Sequence, residues 1–203
     1  MSNDATRDAL TPVDWSTGRW TVAPAAVEVV GGALLVTPAG RSDAWRETSY
    51  GFTRDDAPAL VAELPTPGAV EVTFTVDLDA EFDQAGLLLR VDERTWIKAG
   101  VELSDGAPQL GAVVTLGKSD WSVRPVPEWS GRQVTLRASR SGDAVTIRAR
   151  VDDEPFGLVR LAPFPQHVPV VAGPYACSPS RDEAGLQVRF HAWRTGPADA
   201  TLH

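Results

Sequence analysis

Apolar and polar residues alternate with a period of two along most of the chain, as in strands with one dry face. Val70, Val72, Phe74 and Val76 interleave with Glu71, Thr73, Thr75 and Asp77. Val134, Leu136 and Ala138 do the same, and beyond the turn signal Ser141-Gly142 so do Val145, Ile147, Ala149 and Val151, which predicts a hairpin. A second hairpin is predicted where Gly31-Gly32 separates Val27–Val30 from Ala33–Val36. Leu186, Val188, Phe190 and Ala192 mark a late strand. The middle reads differently. Ala85-Gly86-Leu87-Leu88-Leu89 is continuously apolar, and Trp96 to Leu103 embeds Lys98 and Glu102 among apolar residues. Such runs predict central strands covered on both faces. No stretch carries a 3.6-residue stripe with caps, so only short helical turns are expected. Many short strands with no helices between them predict an all-β antiparallel sandwich, with proline and glycine gathered in its loops.

At 203 residues the chain fits one domain, 1–203, with its core at about 13–194. The first dozen residues and the tail after about Gly196 are expected to fray. Cys177 is the single cysteine, which excludes an internal disulfide and suits a reducing compartment. The N-terminal residues lack an apolar run, and no stretch reaches the length of a membrane span, so the expectation is a cytoplasmic protein away from membranes. The net charge of −8 is spread among interspersed acids and bases. That argues against nucleic acid as a partner and otherwise reads as solubility. Seven tryptophans are many for this length; tryptophan both seeds sandwich cores and covers the apolar faces of sugars.

Several familiar chemistries lack their residues. Gly117-Lys118-Ser119 resembles the end of a phosphate loop, but Ala112 stands where its first glycine belongs and no helix pattern follows. No G-x-S-x-G elbow is present. His167, His191 and His203 lack metal-ligand spacing, and Asp152-Asp153-Glu154, the best calcium candidate, reads first as a solvated turn. No metal and no cofactor is therefore expected. Glu81 and Asp83 have i, i+2 spacing without a third carboxylate in step, which argues against a glucanase-type pair.

One row does carry candidate chemistry. If Ile97, Ala99, Val101 and Leu103 face the core, then Trp96, Lys98, Gly100 and Glu102 share the opposite face. An indole, an ammonium, a glycine and a carboxylate make a poor core and a plausible groove floor, with Gly100 leaving room for a ligand. The competing reading is a structural charge ladder through neighbouring strands. Lys98 and Glu102 are too far apart along one strand to touch, so a bridging residue is expected, with Gln84 and Asp120 as candidates. Ser119-Asp120-Trp121-Ser122 reads as a turn, and Asp43-Ala44-Trp45 repeats the pairing of acid and indole.

Asp43-Ala44-Trp45, Tyr50-Gly51-Phe52, Asp83-Gln84-Ala85-Gly86-Leu87, Trp96 to Glu102, Ser119 to Ser122 and Gly173-Pro174-Tyr175-Ala176-Cys177-Ser178-Pro179 together resemble a bacterial and fungal family labelled after a yeast regulator of enolase. The resemblance spans roughly Trp15 to Trp193, with Ala44 where an aromatic is usual. It implies a two-sheet jelly-roll of the concanavalin A-like lectin/glucanase type with a polar concave groove. It also implies kinship with C-terminal modules of some β-xylosidases, and it carries over no catalytic residue. The leading expectation is a non-catalytic module that binds a carbohydrate or similar polar small ligand. Trp96, Lys98, Glu102 and Gln84 would form its floor, with Asp120, Trp121, Asp43 and Trp45 near its rim. One alternative is an enzyme acting on a sugar or sugar acid, Glu102 being the acid or base and Lys98 steadying negative charge. Another is a regulatory domain whose partner is a protein, as in enolase regulation.

Overall fold

A computed structural model describes residues 10–201. The chain enters through β1 (Thr11–Pro12) and β2 (Arg19–Trp20), then turns through one hairpin, β3 (Ala26–Val30) and β4 (Ala33–Thr37). A small separate hairpin follows, β5 (Ala44–Arg46) and β6 (Thr53–Asp55). Next come β7 (Leu60–Glu63), β8 (Gly68–Val76), β9 (Gln84–Asp92), β10 (Thr95–Ser104), β11 (Ala107–Leu116) and β12 (Lys118–Pro125). The rest of the chain is a meander of β13 (Val134–Ser141), β14 (Ala144–Val151) and β15 (Gly157–Pro163), followed by β16 (Val171–Cys177) and β17 (Val188–Gly196). One sheet has the order β15-β14-β13-β8-β17-β4-β3, with β1 added on β17; the other has β12-β11-β10-β9-β16-β7-β2. All their pairings are antiparallel, and the two sheets form a jelly-roll sandwich. Among the described residues the helical segments are two single 3-10 turns, Trp15–Thr17 and Pro127–Trp129. No helix there is long and apolar enough to cross a membrane.

The period-two residues meet between the sheets. Val70, Val72, Phe74, Leu136, Ile147 and Phe190 come from one side and Leu87, Leu89, Ile97, Ala99 and Leu110 from the other, all in one buried cluster. The opposite face of the second sheet is also covered, because residues 40–59, including β5 and β6, lie across it. Ala44, Trp45, Ala57 and Ala59 pack there on Leu88, Trp96, Val113, Tyr175 and Cys177 in a second buried cluster. That cover explains why β9 and β10 are apolar on both faces.

Glycines were expected in loops, yet three lie in one row across this sheet, Gly111 opposite Gly100 and Gly100 opposite Gly86. A Cβ on Gly100 would lie 2.1 Å from the Ala85 carbonyl oxygen, and one on Gly86 2.0 Å from that of Ala99. Gly100 therefore serves the close approach of two backbones, and it also lines a narrow gap beside Lys98 and Glu102. Gly100→Ala is expected to destabilise the protein by about 1–3 kcal/mol, as overpacking does. An unchanged urea midpoint would show that the strands can part without cost.

Other local expectations also change. Gly117 forms the tight turn between β11 and β12, and a strand, not a helix, follows it. Asp152 and Glu154 are held by Arg132 at 2.9 and 3.1 Å, so those carboxylates are already paired with a cation. Past Gly196 the described tail lies against the first sheet. Asp199 accepts hydrogen bonds from Arg137 at 2.8 Å and Arg148 at 2.7 Å, and its N–H donates to Ser139. Residues 1–9, part of the segment expected to fray, lie outside the described residues.

Candidate functional site

Strand parity places Lys98 and Glu102 on the outer face of β10, away from the intersheet core that Ile97, Ala99 and Val101 help to fill. Both side chains line a pocket of about 270 Å³. Its walls come from four places. The β5–β6 hairpin supplies Trp45, Tyr50 and Phe52; the loop before β9 supplies Phe82; β12 supplies Trp121; and the segment after β16 supplies Pro179. Val113 of β11 and Asp43 complete the lining. The indoles of Trp45 and Trp121 meet edge to face at 6.5 Å, and Tyr50 tilts against Trp45 at 5.4 Å. Tyr50 and Phe52 stack on each other while remaining 56% and 44% exposed. They stand at the rim with open aromatic surface.

The hairpin is held by polar contacts rather than by membership of either main sheet. The Arg46 N–H donates to the Ser119 hydroxyl at 2.9 Å, and its guanidinium to the Gly117 carbonyl at 3.1 Å. Arg90 grips Asp55 with both terminal nitrogens, and Trp45 donates its indole N–H to the Thr48 carbonyl. Phe82 is held at φ +62°, an uncommon conformation for a bulky residue. Its N–H donates to Leu103 O, and its carbonyl accepts from the Gln84 side chain at 3.1 Å.

The bridge expected between Lys98 and Glu102 is absent in that form. Lys98 Nζ donates to Asp43 Oδ1 at 2.9 Å, with the two side chains 4% and 13% exposed. Asp43 Oδ1 also accepts the Ala44 N–H, and the Asp43 N–H donates to Asp56. Burial alone would lower the Lys98 pKa. That is the largest single effect, but the charge and hydrogen bond of Asp43, together with Cys177 and Glu102, outweigh it, and the ammonium is held above its ordinary range. Gln84 is opposite Glu102 in the β9–β10 register, but its amide is engaged with Phe82 O and the Tyr175 hydroxyl.

Glu102 is the least satisfied group in the pocket. Its Oε1 is buried without a hydrogen-bond partner in the protein. Its pKa is raised to about 7: desolvation is the largest cause, Lys98 and a hydrogen bond from Trp121 work against it, and the nearby Asp43 and Glu81 add to it. At neutral pH the carboxyl is poised to donate or to accept, depending on what enters.

Two of the candidate residues sit apart from this constellation. Residues 118–125 form a strand, not a turn, so alternation sends Asp120 to the face opposite Ser119 and Trp121, where it pairs with Arg160 at 2.7 Å. Trp96 is on the expected face of β10 but fully buried beneath the hairpin residues, 1% exposed, with its indole N–H unpartnered. It supports the pocket floor and offers no stacking surface. Phe82 and Pro179 were not among the candidates. Phe82 had one signal, a large apolar residue between two acids in a predicted loop. Among the described residues, no three His, Cys, Asp or Glu side chains come together as a metal site would require.

Two antiparallel sheets packed face to face place the protein in the jelly-roll class of β-sandwich folds. Within it, the chain belongs to the family described as "Protein of unknown function (DUF1349)", which it matches over residues 20–198. It is 38% identical to "Regulation of enolase protein 1" of Saccharomyces cerevisiae over 93% of this chain and 94% of the yeast protein. A crystal structure of a functionally unknown protein from Saccharomyces cerevisiae superposes with a TM-score of 0.86 and 36% identity, covering 93% of this chain and all of that one. The fold alone is shared with part of a xylan β-1,4-xylosidase from Bacillus halodurans C-125, at a TM-score of 0.67 and 14% identity. That match covers 93% of this chain and 39% of the enzyme.

Proposed function

We propose that the protein is a non-catalytic module that binds a carbohydrate or similar polar small ligand in the pocket above Lys98 and Glu102. The observation that carries this reading is Glu102, a carboxyl with one buried, unpartnered oxygen, in the lining of a cavity walled by aromatic rings. A buried polar atom without a partner costs about 1–3 kcal/mol, and a ligand hydroxyl or N–H would recover that. The rings of Trp121, Tyr50 and Phe52 offer faces for the apolar C–H surfaces of a sugar. A volume of about 270 Å³ is near the small end of ligand pockets, about 300–1,000 Å³, and suits one or two sugar rings. Part of a xylan-acting enzyme uses the same fold, which is in keeping with a sugar ligand.

Hydrolysis is the weaker reading. A retaining glycosidase needs a second carboxylate free to attack, and Asp43 is committed to Lys98 and the Ala44 N–H while Asp120 faces away. A glycan array followed by calorimetry tests the proposal. A hit is expected among mono- or disaccharide termini, with affinity falling at least about tenfold in Trp121→Ala, since losing a buried aromatic contact costs a kcal/mol or more. A blank array with correctly folded protein, or a hit that Trp121→Ala leaves unchanged, would remove the pocket from consideration.

A further inference from the structure

The charges around the pocket do not balance. Lys98 is the one basic residue lining it among the described residues, and its ammonium is already matched by Asp43 at 2.9 Å. That pair presents little net charge to anything above it. Glu102 is then left with no cationic partner of its own, and one of its oxygens is buried without a hydrogen bond. Apart from Val113 and Pro179, the other groups lining the pocket are aromatic. Trp45, Tyr50, Phe52, Phe82 and Trp121 come from three separate segments, and the negative faces of such rings attract a cation when water is excluded. An anionic sugar acid would meet an uncompensated carboxylate and the quadrupoles of five rings. A neutral polyol would satisfy the hydrogen bond and leave the charge. A cation satisfies both.

We infer that the ligand carries an ammonium or quaternary ammonium group, seated against Glu102 within the ring of aromatic side chains. This rests on the pocket-binding reading and narrows its ligand class to amino-bearing polyols and related organic cations. Glu102 supplies the countercharge and Trp45 and Trp121, fixed edge to face, supply the rigid wall. Lys98 and Asp43 act as positioning residues that hold the floor and keep the existing ammonium away from the incoming one.

The test uses probes matched in shape and differing in charge: choline against 3,3-dimethylbutan-1-ol, and N-methylglucamine against glucitol. Calorimetric titration of the full chain at pH 8, where Glu102 is ionised, is expected to show each cation binding at least about tenfold more tightly than its neutral match. Glu102→Gln is expected to abolish that preference, and Trp121→Leu to weaken cation binding by about tenfold. If neutral sugars bind while the cations show no preference, or the preference survives in Glu102→Gln, the charge assignment is overturned and the sugar-binding reading stands. If neither the cations nor any glycan binds, both are overturned.

Discussion

Lys98→Met is expected to destabilise the protein by about 3–5 kcal/mol, the usual consequence of removing one partner of a buried ion pair. Asp43 would be left as a nearly buried carboxylate, retaining the Ala44 N–H but no counterion. The loss reaches beyond that pair. The Asp43 backbone carbonyl accepts the N–H groups of Asp56 and Ala57, so the residue anchors both ends of the segment that covers the sheet. Removing the ammonium also removes the main charge that favours ionised Glu102. Adding Asp43→Asn should recover at least half of the lost stability, because the stranded charge disappears. Urea unfolding of wild type, the single variant and the double variant measures this. A single-variant loss below about 1 kcal/mol would mean that Asp43 and Lys98 are solvated and that the segment is held by other contacts.

Glu102→Gln is expected to act in the opposite direction, and only at higher pH. In the folded protein the carboxyl titrates near 7, against an ordinary value of 4.5. Between those values the folded state holds a proton that the unfolded chain has released. Stability therefore falls as pH rises through this window, and the cost is complete above about pH 7. Its size is about 3 kcal/mol. Glutamine keeps the shape and has no charge to bury, so Glu102→Gln should match wild type near pH 4.5 and exceed it by up to about 3 kcal/mol at pH 8. Denaturant unfolding of both proteins across that range checks this. Stability curves that run parallel would place Glu102 in water. A buried carboxylate that destabilises its own fold has the energetic profile of a group retained for binding rather than for structure.

The two charged residues behave differently although they share one row of one strand, and the sequence made only their common face legible. Alternation from Ile97 to Leu103 was enough to put Lys98 and Glu102 together, since a register error would have sent Ile97 and Val101 into the polar layer. Which partner each would find was not legible. Asp43 is 55 residues away from Lys98, in a segment with no strand pattern of its own, and it arrives there through the polar anchoring of a small hairpin. That same hairpin decides how deep each indole lies. Trp96 and Trp121 look alike as sequence, yet the first is sealed under Ala44 and Trp45 while the second borders the cavity. Asp120 was misplaced by a single step of parity. Once Lys118–Pro125 is a strand rather than a turn, Ser119 and Trp121 point to the site and Asp120 points to Arg160. The glycine row escaped notice because its purpose is contact between backbones on neighbouring strands, which no pattern within one strand records.

The most direct test of a ligand site over Glu102 follows the indole N–H resonances of the seven tryptophans by NMR during titration with neutral glycans and organic ammonium compounds. Trp45 and Trp121 line the pocket, whereas Trp15 and Trp193 stack together at the intersheet core and Trp129 lies in the 3-10 turn after β12. The account predicts saturable shifts of the Trp121 and Trp45 signals, a smaller one for Trp96 beneath them, and stationary signals for Trp15, Trp129 and Trp193. Shifts confined to Trp15, Trp129 or Trp193, or no shift with any compound, would contradict it.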